Sequence, residues 1–287
     1  MGQIKRMFAR LERHLWARRA YKLVLDELAG LPDLAAASAL LAGMRPPRGL
    51  VPLQFGPPAG KRVLVLAAHP DDESIGIGGT LAGAIAGGSR IEIVFVTSGR
   101  ADEGATREAE ARAACAALGV GCRFLGKMEG AIAIDRAALE ELAGLLHQLS
   151  PDILFCPFPL DDHDDHRRMA EWVAMLAERD GSAVRPEVWC YQVYGGVLPN
   201  AVVDITPWAT AKRAAIACHT SQIAKRDWAH FALGLNAWQS RMLSEEHAGA
   251  YAEAFFVAPW AEFARLGGLV FARPRQEIYR GEGYRRG

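Results

Sequence analysis

From Arg62 to Glu178 the chain alternates short apolar runs with longer helical patterns, and few architectures accept that order. Residues 62–68, Arg-Val-Leu-Val-Leu-Ala-Ala, are almost continuously apolar, as a parallel strand covered on both faces must be. The pattern then predicts a helix over 79–86, a strand over 91–97, a helix over 106–118 closed by Gly119 and a short strand over 122–125. A helix over 136–149, a strand over 152–157 and a helix over 167–178 follow. Such alternation predicts an α/β, Rossmann-like domain: a doubly wound, mostly parallel sheet with helices on both faces. Ligands of these sheets bind beyond the carboxyl ends of the strands, where the strand order reverses. In the common order 3-2-1-4 the first and fourth strands are neighbours at that point.

Both of those strands run into acidic segments that carry histidine. The first leads into His69-Pro70-Asp71-Asp72-Glu73, the fourth into Asp161-Asp162-His163-Asp164-Asp165-His166. Bringing two carboxylate clusters together is costly unless a cation sits between them. Imidazole nitrogen with one carboxylate suits Zn²⁺, whereas Mg²⁺ and Ca²⁺ favour oxygen ligands. A catalytic zinc site keeps three protein ligands and one open position. His69, Asp72 and His166 supply that set, for one zinc per chain. Pro70 favours an extended His69 and turns the chain at once, so His69 and Asp72 can chelate from one tight turn. His163 and His166 reach the same cavity from the loop before the next helix. A solvated acidic loop or a helix-capping run accounts for one such segment alone, and poorly for two at paired strand ends. Gly76-Ile77-Gly78-Gly79-Thr80 is not a dinucleotide loop, because Leu81 stands where the last glycine belongs and acids precede it. These glycines predict close helix–strand packing, and a nucleotide-binding oxidoreductase is excluded.

Ala68-His69-Pro70-Asp71-Asp72-Glu73, with Gly78-Gly79-Thr80-Leu81-Ala82 after it, resembles the signature of the PIG-L/LmbE family of zinc-dependent N-acetylglucosaminyl deacetylases. The resemblance continues in Thr97-Ser98-Gly99, in Arg107 and Glu110 ahead of Ala117-Leu118-Gly119-Val120, and in His163-Asp164-Asp165-His166. It extends through Val203-Asp204-Ile205 and Lys212–Ala215 to His219-Thr220-Ser221-Gln222, and covers roughly residues 61–225. It implies His69, Asp72 and His166 as zinc ligands, Asp71 as general base, and His163 as the group that stabilises or protonates the intermediate. General chemistry agrees: zinc lowers the pKa of its water, and a carboxylate beside a ligand but off the metal can take that water's proton. Arg107 is a candidate for substrate hydroxyls or phosphate, against a plain surface charge on its helix. His219 and Gln222, one turn apart, are candidates for the site or its supporting layer. Trp189 and Tyr191 alternate as in a strand and, with Tyr194, are expected in the core and its edge rather than as a sugar platform.

The implied reaction is hydrolysis of the N-acetyl group of an N-acetylglucosamine-type amino sugar or its conjugate. Two other readings stand beside it: an amidase for a different amide or a thiol-linked sugar conjugate, and a silent metal-dependent binding protein. Asp71 and His163 argue against the latter, since a binding site needs neither. The expected partner is a small-molecule or glycoconjugate substrate. Thirty-three basic residues balance 33 acidic ones, so no global attraction to nucleic acid is expected. Five cysteines without a CxxC pair argue against a disulfide framework or a cysteine zinc site. Residues 1–60 are expected to be a helical extension and a Pro-rich connector, and 61–287 the deacetylase domain. Ile4, Met7, Phe8, Leu11, Leu15 and Tyr21 give residues 4–28 an amphipathic helical pattern with a basic face. That face is read as solvated packing or as a peripheral contact to a membrane or partner. No apolar run reaches the ~20 residues a span requires, and the N-terminal pattern is unlike a signal peptide, so a cytoplasmic location, or a peripheral one at the membrane, is expected.

Overall fold

The computed structural model describes residues 33, 35–36, 38–40, 52–100, 102–179, 184–244, 249–272 and 279. The expected helix over 4–28 lies outside them. The chain divides into two compact units, residues 42–268 and the terminal segments 1–41 with 269–287. Sheet and candidate site belong to the larger unit.

The strands are β1 (Leu53–Phe55), β2 (Arg62–Ala67), β3 (Arg90–Thr97), β4 (Gly121–Lys127), β5 (Ile153–Pro157), β6 (Glu187–Tyr191), β7 (Ala201–Asp204) and β8 (Ala252–Ala258). The helices are α1 (Asp72–Ala86), α2 (Gly104–Leu118), α3 (Arg136–Leu149), α4 (Asp164–Glu178), α5 (Ala209–Cys218), α6 (Thr220–Ile223), α7 (Trp228–Gln239) and α8 (Trp260–Val270). One eight-stranded sheet runs β1-β7-β8-β6-β5-β2-β3-β4. Strands β4, β3, β2, β5 and β6 are parallel, and β8 runs antiparallel to both β6 and β7. The first four strands of the α/β run therefore take the expected order. Val63, Leu64 and Val65 of β2 pair with Ile153, Leu154 and Phe155 of β5. Chain leaving β2 and chain leaving β5 emerge side by side.

Two stretches differ from the sequence expectation. Leu53–Phe55, inside the segment read as a connector, pairs with Ala201–Val203; three residues between prolines are too few to show an alternation. Helix α1 begins at Asp72 rather than Gly79. Its glycines look like helix breakers, yet burial overrides propensity here. A Cβ on Gly76 would lie 2.5 Å from Tyr191 Cδ2, and one on Gly79 would lie 2.7 Å from Ile205. Only bare backbone lets the helix lie this close to β6 and to the chain leaving β7. The expected close packing of these glycines is what the fold uses. Buried beneath, the carboxylate of Glu253 in β8 accepts the N–H groups of Gly79 (3.0 Å) and Thr80 (2.8 Å) and pairs with Lys212 Nζ at 2.6 Å.

The core is the sandwich between sheet and helices. Val63, Val65, Ile93, Phe95 and Phe155 of the sheet meet Ile77 and Leu81 of α1 and Ala111, Ala114 and Leu118 of α2. Helix α2 ends at Gly119 in the left-handed region, φ 75°, as its C-cap position requires.

Candidate metal centre and active site

The chain leaving β2 folds back on itself within four residues. His69 N–H donates to Asp72 Oδ2 at 2.8 Å, and Ile75 N–H donates to the Asp71 carbonyl at 2.9 Å. Asp71 joins strand to helix with φ 129° and ψ −23°, a sparsely populated conformation for a residue with a Cβ that costs on the order of 1–3 kcal/mol. Three contacts over-determine it. Glu73 Oε2 accepts the Asp71 N–H at 3.1 Å. Arg107 Nη2 donates to the Pro70 carbonyl at 2.7 Å and stands 3.3 Å from Asp71 Oδ2. Arg107 is only 7% exposed, so it is not a surface charge; it braces the turn that carries Asp71 and Asp72.

Beyond β5 the second segment closes over the first. His163 is the N-cap of α4, its Nδ1 accepting the Asp165 N–H at 3.1 Å. His166 lies in the first turn of α4, not in a loop as expected, because the acidic run starts the helix instead of preceding it. Ring centroids of His69, His163 and His166 lie 4.7, 5.0 and 5.4 Å apart. Asp72 Oδ2 is 3.5 Å from His69 Nδ1 and 3.2 Å from His166 Nε2. The outer nitrogens are anchored: His69 Nε2 to Asp165 Oδ2 at 3.2 Å, and His166 Nδ1 to Asp161 Oδ1 at 2.9 Å.

The charges follow from that packing. Burial opposes ionisation of Asp72, yet His166 and His69 hold its pKa well below the usual carboxylate range. Burial also lowers the two imidazoles, but Asp165 and Asp72 raise His69 to about 9, and Asp72 and Asp161 raise His166 to about 10. His163 goes the other way, pushed down to about 4 by burial and by its two histidine neighbours. With Nδ1 occupied by the Asp165 N–H, the neutral imidazole presents Nε2–H as a donor. Burial and the Asp72 charge raise Asp71 to about 7 against the pull of Arg107.

This pocket calls for positive charge at its centre. His69, His163 and His166 each offer a ring nitrogen within 4.8 Å of the others and could hold a metal ion. Asp72 Oδ1 is buried without a hydrogen-bond partner, and His166 Nε2 makes no hydrogen bond although Asp72 Oδ2 stands 3.2 Å away; such orphans are rare in a finished core. A cation between them would satisfy both, and the Asp–His pairs behind would fix the ring orientations, as outer partners of metal ligands do. The metal-capable group is His69, His163 and His166, and Asp72 Oδ2 stands 3.5 Å from His69 Nδ1 and 3.2 Å from His166 Nε2.

The other expected residues are placed unevenly. His219, 1% exposed, ends α5 with Nε2 3.2 Å from Glu73 Oε1 and 3.4 Å from Ser74 Oγ. It supports Glu73, and through it the Asp71 backbone. Gln222 does not reach the cluster; its amide bonds Ser221 Oγ at 3.0 Å. Thr220 and Ser221 hold Glu110 of α2 instead, through three contacts of 2.7 Å. Asp161, Asp165 and Glu73 carry positioning tasks that the sequence reading did not assign, although each sits inside a motif it singled out. Tyr194 departs from expectation: it is 48% exposed and stacks on His166, centroids 5.5 Å apart at 17°. Next to the cluster opens a cavity of about 880 Å³ lined by Ser98–Arg100, Glu108, Gly126–Gly130 and His163.

Comparison with known proteins narrows this. The family model described as GlcNAc-PI de-N-acetylase, PIG-L, matches residues 64–177, which contain both strand-end segments. This stretch is similar to a PIG-L family domain. A 1D-myo-inositol 2-acetamido-2-deoxy-alpha-D-glucopyranoside deacetylase of Thermobispora bispora is 35% identical over 148 residues, 45% of this chain and 43% of that protein. The chain spans less than half the length of the first curated relatives it matches. The N,N'-diacetylchitobiose deacetylase of Pyrococcus horikoshii superposes with a TM-score of 0.58 at 27% identity, covering 70% of this chain and 85% of that one. A 4-carboxy-2-hydroxymuconate hydratase from Pseudomonas putida shares the fold at 21% identity, with a TM-score of 0.57 over 68% of this chain and 95% of that one. Proteins sharing this fold thus carry more than one chemistry, and function has to be argued from the site. Among the described residues no helix is long and apolar enough to cross a membrane.

Proposed function

We propose that the protein is a zinc-dependent N-deacetylase that removes the acetyl group from an N-acetylglucosamine-type amino sugar or its conjugate. The observation that carries this reading is two buried side-chain atoms that make no hydrogen bond, Asp72 Oδ1 and His166 Nε2, beside a second carboxylate, Asp71, held one residue away by Glu73 and Arg107. A site that only bound metal would not need the second carboxylate in a strained turn. His69, Asp72 and His166 would hold one zinc per chain. Zinc, when bound, supplies a Lewis acid and a water of lowered pKa.

The chain's own residues do the rest. Asp71 takes the proton of the attacking water, since its backbone is fixed and its carboxylate is not among the ligands. His163 keeps Nε2 for the substrate because Asp165 N–H occupies Nδ1, and that N–H stabilises the oxyanion. Proton return to the departing amine falls to Asp71 once it is protonated. Arg107 keeps Asp71 in place while the charge on it changes. The amino-sugar substrate is supported by the PIG-L match and by the names of the relatives, which describe acetamido sugars. Acetate release over a panel of N-acetylglucosamine conjugates and non-sugar acetamides, together with metal analysis, tests it. Release from the sugars with one zinc per chain is expected. Release only from non-sugar amides, no release at all, or two tightly bound ions per chain would overturn it.

A further inference from the structure

The chemistry proposed above uses the histidines and aspartates and leaves a run of aromatic rings beside them without a task. From His166 the run passes to Tyr194, then to Trp228 (centroids 5.9 Å, 72°) and to Phe231 (6.4 Å, 68°). Tyr194 also stacks on His163 at 5.9 Å and 29°. Tyr194 is 48% and Phe231 52% exposed. Single exposed aromatics are ordinary, but a contiguous set that starts on the candidate catalytic histidines has the position and composition of ligand-binding surfaces.

The rings are held, not loose. Asp161 Oδ2 accepts the N–H groups of Val193, Tyr194 and Gly195 at 3.3, 3.2 and 3.1 Å, which pins the loop carrying Tyr194 to the segment carrying His166. Gly195 permits that approach, since a Cβ there would lie 2.9 Å from Asp161 Cα. Trp228 is seated on Ile75, Ile216 and Ala232. Asp227 caps α7 by accepting the His230 N–H at 2.9 Å, so Trp228 and Phe231 stand on the first turn of a defined helix. The Arg226 guanidinium lies 5.6 Å from the Trp228 ring and 5.8 Å from that of Phe231.

We propose that Tyr194, Trp228 and Phe231 form a stacking subsite for the ring attached to the N-acetylated sugar, a group presenting a flat apolar face. This rests on the deacetylase reading and extends it to substrate class. Near-perpendicular neighbours make a stepped wall rather than a slot, and a rigid ring loses little entropy on stacking there. A second pyranose, through its C–H face, and an aryl aglycone share this chemistry. A lone monosaccharide held by its acetamido group at the histidines has nothing to place on the outer two rings.

The test uses Asp71→Asn protein, in which turnover is expected to be about 10²-fold slower, so that substrate binding can be read. Calorimetric titration with N-acetylglucosamine, N,N'-diacetylchitobiose and an aryl N-acetylglucosaminide gives three affinities. The two-ring ligands are expected to bind about tenfold more tightly than the monosaccharide. Trp228→Ala and Phe231→Ala, each added to Asp71→Asn, should bring that preference to within about twofold. Because Phe231 is exposed, its variant leaves the core intact if Trp228→Ala misfolds. A preference shown by the disaccharide alone or by the aryl glycoside alone still supports the subsite and says which ring it takes. Equal affinity for one-ring and two-ring ligands, or a preference that survives both substitutions, overturns the subsite and leaves acetate release by the unaltered protein standing. No acetate from any of the three overturns the deacetylase reading, and the subsite with it.

Discussion

Asp161 Oδ1 stands 2.9 Å from His166 Nδ1, inside a cluster where both side chains are fully buried. The same oxygen accepts the His163 N–H at 3.0 Å. One carboxylate therefore orients a ring at the candidate metal centre and fixes the start of helix α4. Asp161→Asn keeps the shape and weakens the pull on the imidazole. Outer partners of metal-ligating histidines are typically worth 10- to 100-fold in affinity, and a loss of about that size is expected here. Competition with a coloured chelator measures it. Unchanged zinc affinity would show that His166 needs no such partner.

The order β4-β3-β2-β5 and both strand-end segments were readable because their signals are local: continuous apolar runs mark covered strands, and two acidic, histidine-bearing segments follow the first and fourth of them; β1, β7 and the antiparallel β8 were not. Start positions of helices were less readable. Gly76, Gly78 and Gly79 weaken helix propensity, and only the close approach of Tyr191, Lys212 and Ile205 explains why the helix runs through them. Positioning residues were least readable. Nothing in the spacing of Glu73, Asp161 or Tyr194 says that their partners lie at His219, at Gly195 or on His166, since those pairings cross the fold. Gln222 shows the converse, a motif residue whose side chain stays with its neighbour Ser221.

Lys212 and Glu253 form a fully buried ion pair at 2.6 Å. Removing one partner of such a pair leaves an uncompensated charge and costs about 3–5 kcal/mol. Lys212→Met should lower stability by that order in urea denaturation. Adding Glu253→Gln should recover part of it, because no charge is left buried, although one amide oxygen now serves where Oε1 and Oε2 accept the Gly79 and Thr80 N–H groups. A double variant no more stable than Lys212→Met would mean that packing around the lysine stem, not charge, sets the cost.

Glu110 ties helix α2 to the Thr220–Ser221 turn. Burial tends to raise its pKa, but bonds from Thr220 and Ser221 outweigh that and lower it below 4.5. A carboxyl whose folded pKa is depressed adds stability above its unfolded pKa and loses it as pH falls through the folded value. Wild type should therefore lose stability to Glu110→Gln at neutral pH, and the gap should narrow below about pH 4. Urea midpoints at pH 7 and pH 3.5 decide this. A gap constant across that range would assign the effect to uncharged hydrogen bonding.

Asp71 and Asp72 are adjacent, both nearly or fully buried, and face different partners. Asp72 Oδ2 lies between His69 and His166, whereas Asp71 Oδ2 lies against Arg107. Successive residues at a strained turn send their carboxylates apart, so one can serve the metal and the other the reacting water. Asp71→Asn keeps size and the backbone contact to Glu73 while removing basicity. Fold and zinc content should survive, and kcat for acetate release should fall by about 10²-fold or more, the scale of general-base loss. Asp72→Ala removes one of the three proposed ligands and should cost the zinc itself. Bound zinc and turnover, measured on both proteins, separate the roles. If Asp71→Asn loses its metal while Asp72→Ala keeps it, the two carboxylates are assigned the wrong way round. If Asp71→Asn retains both metal and full turnover, the base lies elsewhere in the cluster, and His163, the neutral imidazole at the cavity wall, is the group to change next.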